Sequence, residues 1–455
     1  MIIAKFGGTS VATEKRILTL CNIIGAELLK KPVVVVSALS GVTDLLLSGG
    51  SISKIRKLHK KLIEGLWNDR KLQKKTLDFI DNQLKQVSVL RTVEEPNFNQ
   101  ESLDKIASYG EIMSSYIIAQ ALENKGIKAT QVIATDLIIT NNNFGSAEFL
   151  VGPTKKNTKK VLLPLVKNGI VPVVTGFIGS TKSGQITTLG RGGSDYSASI
   201  IGFCLKASEI QIWTDVDGIF TADPKIVKNA KHLPVVSFKE ASELAAFGAR
   251  ILHPRTIRPA IKAGIPVKVL NTLSPKNYGT LIEEKSSSIS TVKVVSFKRG
   301  IILVNIYATE MLFQKGFLAR VFKVFANHGI SVDLVSVSEV SVSITLDNKE
   351  NLENAVKEIS KFAAVTIFKD LGMVSLIGEG ITLSSRTIKQ VFEILDKEKI
   401  LIKMISLSGA NINISIVVES DKVENAVKAL HNKLLLKQII QNLPKNDTIA
   451  PKETK

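Results

Sequence analysis

Cysteine is nearly absent: the 455-residue chain has only Cys21 and Cys204, far apart and without the short spacing of a metal site. That argues against a disulfide framework or a cysteine-based zinc site and fits a reducing compartment. Long apolar runs are also missing. No stretch approaches the ~20 consecutive apolar residues of a membrane span. The opening Met1-Ile2-Ile3-Ala4-Lys5 runs straight into a glycine turn instead of a secretory leader. The expectation is a cytoplasmic protein with no membrane partner. Aromatics are scarce at 5 %, and no motif that reads DNA or RNA interrupts the lysines. The formal net charge of +19 is therefore read as a solvated basic face, and no nucleic acid partner is expected.

What is present is a composition of 44 % hydrophobic and 22 % charged residues, suited to a folded protein. The length exceeds what one ordinary core organises, so two or three domains are expected. Over residues 1–285, apolar runs alternate with helical patterns. Strand candidates are Ile2 to Phe6, Val33 to Ser37, Ala129 to Ile133, Ile170 to Thr175, Ile210 to Thr214 and Val267 to Asn271. Such alternation predicts an α/β domain, a mostly parallel sheet with helices on both faces. The charged stretch from Ser48 to Asn97 reads as a helical excursion over the substrate cleft, its apolar stripe at Leu58, Leu62, Leu66, Leu77, Ile80 and Leu84.

The C-terminal part carries an internal repeat. Ile330-Ser-Val-Asp-Leu-Val-Ser-Val-Ser338 matches Ile400-Leu-Ile-Lys-Met-Ile-Ser-Leu-Ser408, and Glu353-Asn-Ala-Val-Lys357 returns as Glu424-Asn-Ala-Val-Lys428. Each unit reads as a ferredoxin-like βαββαβ module. The first spans 298–370 and the second 371–440. The second lacks a closing strand of its own, and the spare strand 292–297 is expected to complete it. The tail 446–455 is polar and is expected to be disordered.

Two glycine-rich loops carry the chemistry. Lys5-Phe6-Gly7-Gly8-Thr9-Ser10 follows a strand and opens a helix over Thr13 to Lys30, an arrangement that brings backbone N–H groups and a helix N-terminus to an anion. It is not a Walker A loop, because the lysine precedes the glycines. Taken alone, a Gly-Gly turn after a strand is more often simply a turn. The second loop, Thr188-Leu-Gly-Arg-Gly-Gly-Ser-Asp195, opens another helix, with Ser194 suited to the N-cap, Asp195 to the first turn and Arg191 to a bidentate grip on a carboxylate or phosphate. In isolation Asp195 is as readily a helix-start acid. Trp213-Thr214-Asp215 ends a strand and enters turns suited to a nucleotide. Ser237-Phe-Lys-Glu240 is a capping box and is assigned structure alone.

Taken together, Lys5-Phe-Gly-Gly-Thr-Ser10, Ser37-Ala-Leu-Ser-Gly-Val-Thr43, Gly176-Phe-Ile-Gly179, the Leu189 to Tyr196 loop, Trp213-Thr-Asp215 and Phe247-Gly-Ala-Arg-Ile-Leu-His-Pro254 resemble the aspartate kinases of the amino-acid-kinase fold, over nearly the whole chain. The repeats resemble that family's paired ACT domains. The segments Met311 to Leu318, Ser331 to Leu334 and Ser338 to Ser341 are similar to its lysine-sensitive, monofunctional type. The resemblance implies transfer of the γ-phosphoryl of ATP, with Mg²⁺, to the side-chain carboxylate of L-aspartate, the first step of the diaminopimelate route to lysine, threonine and methionine. It makes Lys5 and Asp195 the catalytic pair, and puts Thr43, Glu111, Arg191 and Ser194 on aspartate, Glu111 facing its ammonium. It puts Lys5, Gly7, Gly8, Thr9, Thr214, Asp215, Phe220, Lys225, Arg250 and Ile251 on the nucleotide. Phe220, Lys225 and Arg250 depart from the tyrosine, arginine and lysine frequent there. No protein metal ligands are implied, the ion being carried by ATP oxygens and water. L-Lysine is the implied inhibitor, at Met311, Gly316, Phe317, Leu318, Ser331, Val332, Asp333, Ser338 and Thr345, in a homodimer or tetramer built through the ACT units. The rival readings are a kinase of the same fold acting on glutamate or a nucleoside monophosphate, and an inactive amino-acid sensor.

Overall fold

The computed structural model describes residues 1–94, 98–247, 254–285, 292–312 and 315–435. The polar tail expected to be disordered lies outside them. By packing, the described residues divide into two compact units, one within 1–219, 232–245 and 250–287, the other within 220–231, 246–249 and 288–455.

The chain starts with β1 (Ile2–Phe6), α1 (Glu14–Ala26), β2 (Val33–Val36) and α2 (Val42–Leu47), followed by three longer helices, α3 (Ile52–Leu66), α4 (Arg70–Glu94) and α5 (Gln100–Asn124). It continues through β3 (Ala129–Val132), β4 (Ile139–Thr140), α6 (Val151–Lys167), β5 (Val171–Thr175), the hairpin β6 (Ile178–Thr181) and β7 (Ile186–Thr188), α7 (Gly193–Leu205) and β8 (Glu209–Thr214). The short strands β9 (Ile219–Phe220) and β10 (His232–Leu233) bracket residues 221–231. After them come β11 (Val235–Ser237), α8 (Phe238–Ala246), α9 (Pro254–Ala263), β12 (Val267–Asn271) and β13 (Thr280–Glu283).

The main sheet of the first unit has the order β11-β13-β12-β8-β1-β2-β5-β3, and it is parallel except where β12 meets β13. β1, β2 and β5 are buried along their whole length, which is why they read as unbroken apolar runs without polar alternation. The parallel α/β architecture expected from the sequence is what forms. The helical excursion differs from expectation in its placement. Leu58 is 42 % exposed, and α3 instead buries Ile55, His59, Leu62, Ile63 and Leu66 in the core shared with α1 and α5. The true stripe follows the i, i+4, i+7, i+8, i+11 spacing of a helix face. Arg56 clamps Asp81 bidentately at 2.7 and 2.8 Å, tying α3 to α4. Phe79 stacks on Tyr116 of α5 with centroids 3.8 Å apart.

The second unit is built on a six-stranded antiparallel sheet. Its elements are β14 (Val294–Tyr307), α10 (Phe317–Asn327), β15 (Val335–Val337), β16 (Ser341–Leu346), α11 (Leu352–Ile359), β17 (Ala364–Ile377), α12 (Ser385–Lys397), β18 (Met404–Leu407), β19 (Asn413–Glu419) and α13 (Val423–Leu430). The strand order is β15-β16-β14-β17-β19-β18. β14 and β17 are long enough to serve both repeats. The second half of β14 pairs with β16 and with the first half of β17, while Val294–Arg299 pairs with the stretch of β17 that β19 also joins. Register shifts around Gly300 divide the two pairings. One core gathers Phe317, Val321, Phe325, Ile344 and Ile359; the other gathers Val295, Leu376, Val391, Ile416 and Val427. Ala222 and Val227 belong to the second of these cores, which explains why residues 220–231 group with this unit.

Candidate active site

The carboxyl ends of β1, β2 and β5 and the loop before α7 surround a cleft of about 570 Å³ in the first unit. Lys5, Gly8, Thr43, Glu111, Arg191, Ser194 and Asp195 all line it, as do Asp44, Asp104, Phe177 and Thr188. None of its lining residues comes from α3 or α4, so the excursion does not cover the cleft as expected. It acts indirectly: Arg91 of α4 donates to the carbonyls of Leu45, Leu46 and Gly50 at 2.6–3.0 Å. The bonds to Leu45 and Leu46 meet C-terminal carbonyls of α2, the helix that carries Thr43, and the bond to Gly50 ties down the turn after it.

Lys5 is 8 % exposed at the end of β1, and its Nζ lies 2.5 Å from Asp195 Oδ1. This approach lacks hydrogen-bond alignment, so Oδ1, although buried, has no hydrogen-bond partner. The pair is therefore held by charge. Gly8 allows the first loop to pack against the strand-end segment after β2, for a Cβ there would sit 2.9 Å from the Ala38 carbonyl oxygen. Gly7 and Thr9 adjoin this turn without lining the cleft. The Gly7 N–H donates to Trp213 O at 3.2 Å, and the Thr9 carbonyl accepts from Arg16 Nη1 at 2.5 Å.

The second loop is shaped by its glycines. Gly192, at φ +69°, is the N-cap of α7, which corrects the expectation of Ser194 there: Ser194 lies inside the first turn, 8 % exposed. The left-handed backbone admits glycine where a capping side chain would be strained. Asp195 keeps its predicted first-turn position, where its charge complements the helix dipole. Gly193 and Gly176 have no room for a Cβ, which would meet Phe177 at 2.4 Å and Ser194 at 2.6 Å respectively, so the loop is pressed tightly onto the end of β5. Arg191 lies exposed between Gly190 and Gly192 at the rim of the cleft.

Glu111 is 3 % exposed on α5. Its Oε1 accepts the Ala38 N–H at 3.1 Å, while Oε2 is buried with no partner. Burial pushes the carboxyl up to about 8. An acid held neutral by desolvation, with a free oxygen facing a cleft, is prepared to receive a cation.

The remaining sequence-predicted residues are not drawn into this cleft. Thr214 ends β8, where its Oγ1 donates to Asp215 Oδ1 at 3.2 Å. Phe220 and Lys225 belong to the second unit, where the Lys225 N–H donates to Asp223 Oδ1 at 2.8 Å. Arg250 and Ile251 lie outside the described residues. Ser237 and Glu240 form the expected capping box, with reciprocal bonds of 3.0 and 3.2 Å.

Within the second unit, Gly316 is the N-cap of α10, followed by buried Phe317 and half-buried Leu318. Met311 and Val332 pack on the same core, and Ser331 is exposed. The Asp333 N–H donates to Thr345 O at 2.9 Å, and the Leu334 N–H donates to the buried Thr345 Oγ1 at 2.9 Å. Ser338 and Ser341 share a hydroxyl contact of 2.8 Å. Asp333 has a partner that sequence reading missed. Lys298 of β14 lies 3.2 Å from it and 2.7 Å from Asp347, a long-range pairing that no local motif signals.

Comparison with known proteins places these features in context. The model of the amino acid kinase family matches residues 1–271, and that of the ACT domain matches 304–361 and 374–434. Aspartokinase 3, chloroplastic, of Arabidopsis thaliana is 37 % identical over 94 % of this chain and 81 % of its own. Lysine-sensitive aspartokinase 3 of Escherichia coli K12 is 33 % identical over 95 % and 99 %. The structure of E. coli aspartokinase III in complex with aspartate and ADP, an R-state, superposes with a TM-score of 0.84 at 33 % identity, covering 95 % of this chain and 99 % of that one. The complex of the same enzyme with lysine and aspartate, a T-state, gives 0.82 at 33 % identity, covering 96 % and 99 %.

Proposed function

This chain belongs to the amino acid kinase family, as an aspartokinase, and from that membership we propose that it transfers the γ-phosphoryl group of MgATP to the β-carboxylate of L-aspartate, forming 4-phospho-L-aspartate under feedback inhibition by L-lysine. Residues 1–285 are read as the catalytic domain, and 298–370 and 371–440 as two ACT domains. The observation that carries the reading is the joint presence in one cleft of the Lys5–Asp195 pair and the unpartnered Glu111 oxygen.

The nucleophile needs no base, because an aspartate side chain is already ionised near pH 7. The difficulty is bringing one anion to another. Glu111 receives the substrate ammonium and Arg191 a carboxylate, with Thr43 and Ser194 completing the orientation. Lys5 and the N–H of Gly8 offset charge on the transferring oxygens, Gly7 shapes the turn with its own N–H committed to Trp213 O, and Asp195 holds Lys5 in place. Thr9, Thr214, Asp215, Phe220, Lys225, Arg250 and Ile251 are read as nucleotide contacts. A nucleotide-borne Mg²⁺ fits the donor set: besides Lys5 the cleft offers the carboxylates of Asp195 and Asp44 and, among the described residues, no dedicated cage, the arrangement in which this ion keeps its waters and phosphates. When bound, the ion neutralises phosphate charge.

Lysine is proposed to bind at the first ACT domain, around Asp333 and the Gly316 turn, in a cytoplasmic homodimer or tetramer paired through these domains. It inhibits by favouring an arrangement with weaker substrate affinity. The test is ADP release with aspartate, glutamate and UMP, each with and without lysine. Activity on aspartate alone, reduced by lysine, is expected. Turnover of glutamate or UMP in preference, or none at all, overturns the reading.

A further inference from the structure

Asp104 lines the same cleft but has no free capacity for a ligand. It is 1 % exposed on α5, and four donors converge on it. Oδ2 accepts from the N–H groups of Gly145 at 2.8 Å and Thr188 at 2.7 Å; Oδ1 accepts from Thr188 Oγ1 at 2.8 Å and Gln100 Nε2 at 3.1 Å. A buried carboxylate whose charge is met by amides and hydroxyls is costly unless every bond is made, so the arrangement specifies one geometry.

That geometry bears on the chemistry through what the donors belong to. Thr188 ends β7 and begins the loop carrying Arg191, Ser194 and Asp195. Gly145 belongs to the turn beneath that loop. A Cβ at Gly190 would come within 3.2 Å of the Gly145 carbonyl oxygen and 3.3 Å of Ser146 Oγ, and the Ala147 N–H donates to Thr188 O at 2.9 Å. Asp104 also lies seven residues before Glu111 on the same helix, two turns along one face. One side of α5 therefore holds the root of the Arg191 loop and, two turns on, the acid that faces the substrate ammonium.

We propose that Asp104 is a positioning residue that fixes the distance between Glu111 and the loop bearing Arg191, and so sets the grip on the amino-acid substrate. This rests on the assignment of the cleft to aspartate made above. Asp104→Ala should raise the KM for aspartate by roughly 10- to 100-fold, the loss expected when charge-assisted bonds are removed. The KM for ATP should stay within about threefold, because the first glycine loop is not attached to Asp104. Asp104→Asn keeps one acceptor oxygen and can re-pair its amide with the Thr188 hydroxyl, so it should recover most of the loss.

A structural defect alone would lower the active fraction and leave both KM values unchanged. The kinetics are therefore measured with circular dichroism on the wild type, both Asp104 variants, Thr188→Val and the Asp104→Ala/Arg191→Lys pair. The proposal expects Thr188→Val to shift the aspartate KM in the same direction, and the paired variant to lose less than the sum of its singles. An unaltered aspartate KM in folded Asp104→Ala or Thr188→Val, or full additivity of Asp104→Ala with Arg191→Lys, overturns it; Thr188→Val decides the matter if Asp104→Ala does not fold. A wild type inactive on aspartate would instead overturn the assignment of the cleft.

Discussion

Glu111 and Ala38 are joined by one hydrogen bond, amide to Oε1 at 3.1 Å, and this bond leaves the other carboxylate oxygen buried and unpartnered. Desolvation raises the carboxyl to about 8, whereas an arriving ammonium favours the charged form and lowers it. Aspartate binding should therefore expel a proton from Glu111 near neutral pH. The KM for aspartate should fall as pH rises towards about 8, by up to about tenfold per unit, and level off above that value. Titration calorimetry in buffers of different ionisation enthalpy should register the released proton. Glu111→Gln should raise the KM and flatten its pH profile. A wild-type profile as flat as the variant's would remove Glu111 from the ammonium.

The Lys5–Asp195 pair gives a second test. Lys5→Ala should lower turnover by about 10²- to 10³-fold, the usual cost of losing a fixed group that offsets transition-state charge. The secondary structure should be retained. Turnover near that of the wild type in a folded variant would exclude Lys5 from the chemistry.

Arg191→Lys keeps the charge and loses the planar fork. At an exposed rim position this should raise the KM for aspartate by roughly tenfold with little change in turnover, since a point charge cannot reproduce bidentate geometry. A change confined to the KM for ATP would reassign Arg191 to the nucleotide.

Asp333 and Lys298 make opposite predictions for regulation. Removing the carboxylate by Asp333→Ala should raise the lysine concentration for half-inhibition about tenfold or more, the scale of a lost charged hydrogen bond. Lys298→Met frees both Asp333 and Asp347 from an internal cation and should lower that concentration. Dose-response curves that move the same way for both variants would dissociate the ion pair from effector binding.

His59 is fully buried, with Nδ1 against Ile55 O at 2.9 Å and Nε2 unpartnered, and burial lowers it to about 4. An unfolded histidine titrates near ~6.5. The folded form is thus undisturbed above that value and loses stability as pH falls from about 6.5 to about 4, by on the order of 3 kcal/mol in total. His431, also buried and lowered, adds to the effect. Urea melts at pH 7 and pH 4.5 should show the loss, and a stable His59→Gln variant should show less of it.

Some of this molecule was legible before any coordinates, for definable reasons. The strands Ile2–Phe6 and Val33–Val36 announce themselves because a parallel strand covered on both faces must be apolar throughout. The glycine loops are equally plain, since close backbone approach admits few alternatives to glycine. Periodicity was less reliable on α3, where several leucines compete for one face and Leu58 lost to Ile55. Ser194 looked like an N-cap because serine usually is one, yet the loop's left-handed turn put Gly192 there. Asp104, Arg91 and Lys298 were missed for a common reason. Their long-range partners lie 41 and 84, 41 to 46, and 35 and 49 residues away, and no local pattern encodes such pairings. Asp104 alone left a trace, its two-turn spacing from Glu111.

The shared strands β14 and β17 make the two repeats inseparable, and this governs how the protein is made. On the ribosome, Val294–Arg299 emerges well before Gly372–Ile377, the segment it pairs with in the sheet among the described residues. Until translation passes β17, the nascent chain carries an open strand edge that can recruit any neighbouring chain. A messenger truncated between the repeats, or a protease cut there, would not release a tidy half-sized sensor but a polypeptide with an adhesive border. Deletion mapping of the regulatory region should therefore place its boundaries before residue 292 or after β19, never between the copies.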